Sequence, residues 1–290
     1  MSSQVLLDTW LARNSPKQLL QKALLATLKK TLTSLPWSPD FCTLSLSDLQ
    51  VVAGRHWQYE SAIAHPLAAM LGTDATTLAP RLATEMTAGL AHQNPAAIAT
   101  GLQSEVNSAD RLTFILSSEG LQGWLHHWLH SSLPALLTVE EEPQPHSEAR
   151  SGNWPLCDRL QLSLPMLLQW ADTRCQQWQA ECSPMGQSSA MARSAVDPLV
   201  VDAVWTFLLP AVMHGLDQLA AGPLTSKTGQ RVGYRLAVRV YELDAHLADW
   251  RSQEMWGQAL VARSAALLAT QKALQLLLAT TFRQAPCKAL

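Results

Sequence analysis

Arg231, Arg235 and Arg239 recur four residues apart, and on a helix that spacing sets them in a slanting line along one side. A guanidinium can meet a phosphate through two parallel hydrogen bonds, so such a line suits a nucleic-acid backbone. Arg263 and Lys288, farther along the same stretch, join them as candidate RNA-binding residues. The pattern also arises on a plainly solvated face, or where arginines pair with acids of a neighbouring helix, here Asp202 and Asp217. A second group, His126, His127 and His130, places two imidazoles four residues apart, a spacing that metal ligands use. No nearby acid or cysteine supplies the third ligand a zinc site needs, and Trp124 and Trp128 beside them read as packing. No metal site is expected. The third group is aromatic. Of the eleven tryptophans, most fall at helical core spacing. Others suit stacking on bases, and Trp250 and Trp256 are candidate anchors for a protein partner.

No recognisable catalytic motif accompanies these residues. The chain has no P-loop, no Gly-x-Gly-x-x-Gly turn, no His-Glu-x-x-His helix and no Gly-x-Ser-x-Gly elbow, so neither catalysis nor a cofactor is expected. At 290 residues, with 48% apolar and 15% charged residues, it has the composition of a folded protein with room for two cores. Its net charge of −2 provides no global field for nucleic acid, so any RNA contact must be local. Five scattered cysteines, Cys42, Cys157, Cys175, Cys182 and Cys287, suit a reducing compartment rather than a disulfide framework. Asp8 and Arg13 interrupt the first apolar stretch, unlike a signal peptide. The longest uncharged apolar run, Ala203 to Met213, is too short to span a bilayer. A cytoplasmic protein is expected.

The elements that must position these residues follow from periodicity and punctuation. Gln4 to Ser34 reads as one helix or a helix pair. Phe41 to Ala53 holds at least one strand, and Gly54 to Gly72 is a loop leading into a short helix that Pro66 must either open, in its first turn, or kink. A helix over Thr76 to Leu90, strands over Gly101 to Val106 and Arg111 to Ser117, and a helix from Ser118 complete the first half. Residues 138–153, with Glu140, Glu141, Glu142 and two prolines, form an acidic linker. Beyond it the pattern is entirely helical: one helix to about Glu181, kinked or restarted near Pro165, one opened by Asp197-Pro198 and bent at Pro210, then Thr228 to Arg251 and Glu254 to Arg283. The last is apolar around most of its circumference and belongs near the centre of a bundle. The fold class expected is mostly α: an α+β domain over 1–137 with a small antiparallel sheet, the linker, and an all-α bundle over 154–290.

The last two helices carry a resemblance. Arg235-Leu236-Ala237 and Tyr241-Glu242-Leu243, followed by Arg263, Ala265, Ala269-Thr270, Leu274, Leu278 and Ala285-Pro286, resemble the end of the DALR anticodon-binding domain of arginyl-tRNA synthetases. Tyr59 before an Ala-rich helix, and Phe114-Ile115-Leu116-Ser117, resemble that family's N-terminal additional domain. The chain departs from the family at His56-Trp57-Gln58, Arg239, Leu247-Ala248-Asp249 and Leu276-Leu277, and the synthetase's catalytic domain would lie where this chain has only the linker. The resemblance implies a non-catalytic accessory or regulatory factor whose partner is tRNA or another structured RNA. Two alternatives stay open: a protein–protein adaptor or assembly factor that reuses the scaffold, and the tRNA-binding subunit of a synthetase assembled in trans.

Overall fold

The computed structural model describes residues 3–33, 50–52, 57–92, 101–132, 153–182, 203–221, 225–251 and 260–282. In chain order they form α1 (Ser3–Asn14), α2 (Pro16–Thr33), β1 (Gln50–Val52), β2 (Gln58–Ser61), α3 (Ala64–Leu71), α4 (Ala75–His92), β3 (Leu102–Val106), β4 (Leu112–Leu116) and α5 (Ser118–His130). Then come α6 (Pro155–Leu160), α7 (Leu164–Cys182), α8 (Ala203–Ala220), α9 (Ser226–Arg251) and α10 (Leu260–Thr281). The fold is mostly α with one small antiparallel sheet. It divides into two units, Asn14–His127 and Met1–Arg13 with Trp128–Leu290. The 138–153 segment lies outside the described residues.

The Asn14–His127 unit is α+β. Its leading helix breaks from α1 at Ser15, whose hydroxyl accepts the Gln18 N–H at 3.2 Å, while Pro16 takes the first helical position. This is the cap-then-proline start that leaves fewest orphan donors. Leu20, Leu24 and Leu28 form its buried stripe. The sheet runs in the order β1-β2-β4-β3 with every pair antiparallel. Tyr59 and Phe114 lie opposite each other and are buried. α4 is fastened to β3 by the Ser104 hydroxyl, which donates to Ala83 O at 2.7 Å.

The β3–β4 turn is local chemistry. Asn107 Oδ1 accepts the N–H groups of Ala109 at 2.9 Å and Arg111 at 3.2 Å, and Asp110 takes a left-handed φ of 53°. Aspartate tolerates that region better than most residues. The expectation of a loop from Gly54 is corrected by β2. With only Tyr59 as a large inward side chain, Gln58–Ser61 offers too little alternation to read as a strand, and its pairing to β4 makes it one. Pro66 sits in the first turn of α3, as its missing N–H requires.

In the other unit α10 packs against α7, α8 and α9, and its side chains from Arg263 to Ala279 are buried except along one half-buried face of Leu268, Gln271, Lys272 and Gln275. A helix apolar around most of its circumference is stable only where several neighbours cover it. The restart near Pro165 is real. α6 ends at Gln161 in a left-handed φ of 56°, and α7 begins three residues on with Pro165 in its first turn. One grouping departs from a boundary after residue 137: α1 and the end of α5 belong with the C-terminal helices. Trp10 packs against Trp128 with ring centroids 5.3 Å apart. The ammonium of Lys272, from α10, donates to the carbonyls of Trp128, Leu129 and Ser131. A cation there satisfies carbonyls that the end of α5 leaves open.

Candidate nucleic-acid interface

α9 sets out the candidate interface. Thr225 opens it, its hydroxyl accepting the Thr228 N–H at 3.2 Å, and Val232, Leu236, Ala237, Val240 and Leu243 bury one side against the bundle. The opposite side carries the expected arginines, all exposed, and the structure extends the line backward by one step to Lys227, also exposed. At 1.5 Å rise per residue, four cations at this spacing span about 18 Å in steps of about 6 Å.

Their surroundings differ. Arg239 donates to Glu242 Oε2 at 2.9 Å and lies over the Phe207 ring at 4.8 Å. Its charge is partly neutralised, although an exposed pair of this kind is weak. Arg235 donates to the neutral amide oxygen of Gln218 at 3.2 Å, which orients the guanidinium without cancelling its charge. Lys227 and Arg231 have no hydrogen bond or ion pair among the described residues. Asp217, one of the acids expected to pair with the line, is buried within α8, and Asp202 lies outside the described residues.

The other candidates fall elsewhere. Arg263 is 7% exposed inside α10, so it is no part of the exposed line. The side chain of Trp250, in the last turn of α9, lies outside the described residues, as do Trp256 and Lys288. Among the described residues no group of three or more His, Cys, Asp or Glu is placed to hold a metal ion.

An aromatic band runs along the α6–α7 side of α9 and meets the cation line at Arg231, one turn before Tyr234. Tyr234 and Tyr241 are two turns apart on α9 and half-buried. Tyr234 stacks at 4.8 Å on Trp154, and its phenol oxygen accepts the Leu156 N–H at 3.0 Å, fixing the start of α6. Tyr241 packs at 5.9 Å against Trp170 of α7, and the exposed guanidinium of Arg159 lies 4.9 Å from its ring centre. Farther along, Arg174 grips Asp244 with a forked pair of bonds at 2.7 and 2.8 Å and lies over Trp178 at 5.8 Å. Arginine and aromatic side chains therefore alternate along the joint between α9 and α6–α7. The seven-residue spacing of Tyr234 and Tyr241 beside the arginines was readable in the sequence. Arg159 and Trp154 carried no such signal, because their partners lie about eighty residues away in the chain.

Behind this surface lies a buried polar cluster. Asp172 of α7 is fully buried and receives Gln176 Nε2 at 3.1 Å and Gln275 Nε2 at 3.3 Å. Gln271, also bonded to Asp172, accepts from Gln179 at 2.9 Å. Burial outweighs these amide bonds and holds the carboxyl up at about 6. Burial, and then the charge of Asp172, also push the Cys175 thiol well above its ordinary range. A thiol kept protonated is a poor nucleophile, so the cluster reads as structural.

No family model, no curated protein and no solved structure matches the chain.

Proposed function

We propose that this protein is a non-catalytic, cytoplasmic RNA-binding factor that takes tRNA or another structured RNA on the exposed side of α9. The observation that carries the reading is the line Lys227, Arg231, Arg235 and Arg239, exposed along its length, with an aromatic couple, Tyr234 and Trp154, next to Arg231. Regularly spaced cations grip phosphates, and half-exposed rings beside them offer stacking surface. The resemblance of the last two helices to the DALR domain supports the same choice of ligand.

The test is a mobility shift of purified protein with bulk tRNA at low salt. Wild type is expected to shift it, and Arg235→Glu, which adds repulsion at an exposed position, is expected to weaken the shift at least tenfold. An unchanged shift with Arg235→Glu removes α9 from the interface; no shift with wild type removes the RNA reading. The adaptor alternative is favoured by one observation, the adjacent exposed side chains of Val5 and Leu6 on α1, 45% and 41% accessible. Recovery of a single partner protein that survives nuclease treatment and is lost in Val5→Asp/Leu6→Asp supports that alternative.

A further inference from the structure

We propose that Arg159, placed over Tyr241, is a base-stacking site that takes an unpaired nucleobase of the bound RNA by its π-face, purines in preference to pyrimidines. This rests on the RNA reading above and goes beyond it, by adding a contact to bases and naming the nucleotides that make it.

The site is built from three elements. The short helix α6, begun at Pro155 and stopped by the left-handed Gln161, presents Arg159 to the side of α9. Tyr241 receives the guanidinium 4.9 Å from its ring centre, and Trp170 of α7 braces the ring at 5.9 Å. Arg159 is exposed and has no hydrogen bond or ion pair among the described residues. A guanidinium is hydrated weakly on its faces and stacks readily on aromatic planes. Seated over Tyr241 and exposed to solvent, Arg159 offers a planar, positively charged group to a ring from solution. An arginine that served only to cover a tyrosine could lie there too. What sets this one apart is the flank: a second stacked couple, Trp154 and Tyr234, two helical turns away, with the exposed Arg231 one turn before Tyr234 on the same side of α9. A phosphate on Arg231 brings neighbouring bases within reach of the band.

A duplex hides its base faces within its own stack and presents only phosphates and groove edges. Only unpaired nucleotides can use this surface. Stacking is sequence-tolerant, because every base has a π-face, and it strengthens with ring area.

The experiment uses the full chain and three hairpin RNAs with one stem and loops of equal length: all-adenosine, all-uridine and abasic. Wild type is expected to bind the adenosine loop most tightly, the uridine loop less, and the abasic loop about tenfold more weakly than the first. Arg159→Lys keeps the charge and loses the plane. It is expected to bring the adenosine and uridine loops down to the abasic value while leaving the abasic hairpin and the salt dependence unchanged. Tyr241→Leu, with circular dichroism to confirm folding, is expected to act in the same way by removing the backing ring. Equal binding of all three hairpins by wild type overturns the stacking site and leaves the RNA reading standing, and so does an equal loss on all three in Arg159→Lys. Failure of wild type to bind any of the three overturns both.

Discussion

Asp172 shows how one side chain makes the bundle sensitive to pH. Its folded-state carboxyl titrates at about 6, against about 4 in an unfolded chain. The raised value means the folded protein holds this proton more tightly than the unfolded one. Stability contributed by the protonated form is complete below about pH 4 and is lost as pH rises through 6. A shift of about two units is worth about 3 kcal/mol. Asp172→Asn, which keeps the shape and removes the ionisation, is therefore expected to be more stable than wild type above pH 6, by up to about 3 kcal/mol. The two proteins are expected to converge below pH 4. Urea unfolding at pH 4 and pH 7.5 measures this, and a variant no more stable than wild type at pH 7.5 contradicts it. Nothing in the sequence marked Asp172. It is one of several acids on amphipathic helices, and its burial depends on Gln271 and Gln275, about a hundred residues later.

Among the described residues, α9 meets its neighbours closely at two glycines. A Cβ on Gly229 of α9 would lie 2.1 Å from Thr281 Oγ1 and 3.0 Å from Thr281 Cβ, so α9 crosses the end of α10 nearer than any side chain permits. Gly233, one turn on, lies under the buried Leu168 of α7, where an added Cβ would meet only a methyl tip at 2.8 Å that can turn aside. Gly229→Ala gains up to about 1 kcal/mol of helix propensity but pays overpacking of about 1–3 kcal/mol. A net loss of about 1–2 kcal/mol is expected in chemical denaturation; a gain would show that the crossing relaxes freely. At this scale the sequence was most informative. The apolar stripe of α9 and the apolarity of α10 around most of its circumference place both helices, and Pro165 marks the restart of α7. It was least informative where an element depends on a distant partner. β2 is a strand because β4 pairs with it, and α1 joins the helical unit through Trp10, Trp128 and Lys272, whose meeting no local pattern encodes.

Across the whole molecule, charge is nearly balanced, with 21 basic and 23 acidic residues. An RNA interface on such a chain must be a local device whose affinity falls steeply with salt. No described helix is long and apolar enough to cross a membrane. The arginine line was legible as spacing. Its weight was not, because exposure, the neutral Gln218 partner of Arg235 and the unpartnered state of Arg231 belong to the folded surface. The buried position of Arg263 was equally hidden, since its sequence neighbours are compatible with either side of a helix.

The central claim is that α9 cations neutralise phosphates, and the salt dependence of tRNA affinity tests it most directly. With three to four such contacts, wild type is expected to give a slope of log affinity against log salt of about −2 to −3.5. Arg231→Ala/Arg235→Ala is expected to flatten that slope by about 1.5 to 2 while the protein stays folded. An unchanged slope in the double variant, or a wild-type affinity indifferent to salt, would contradict the account.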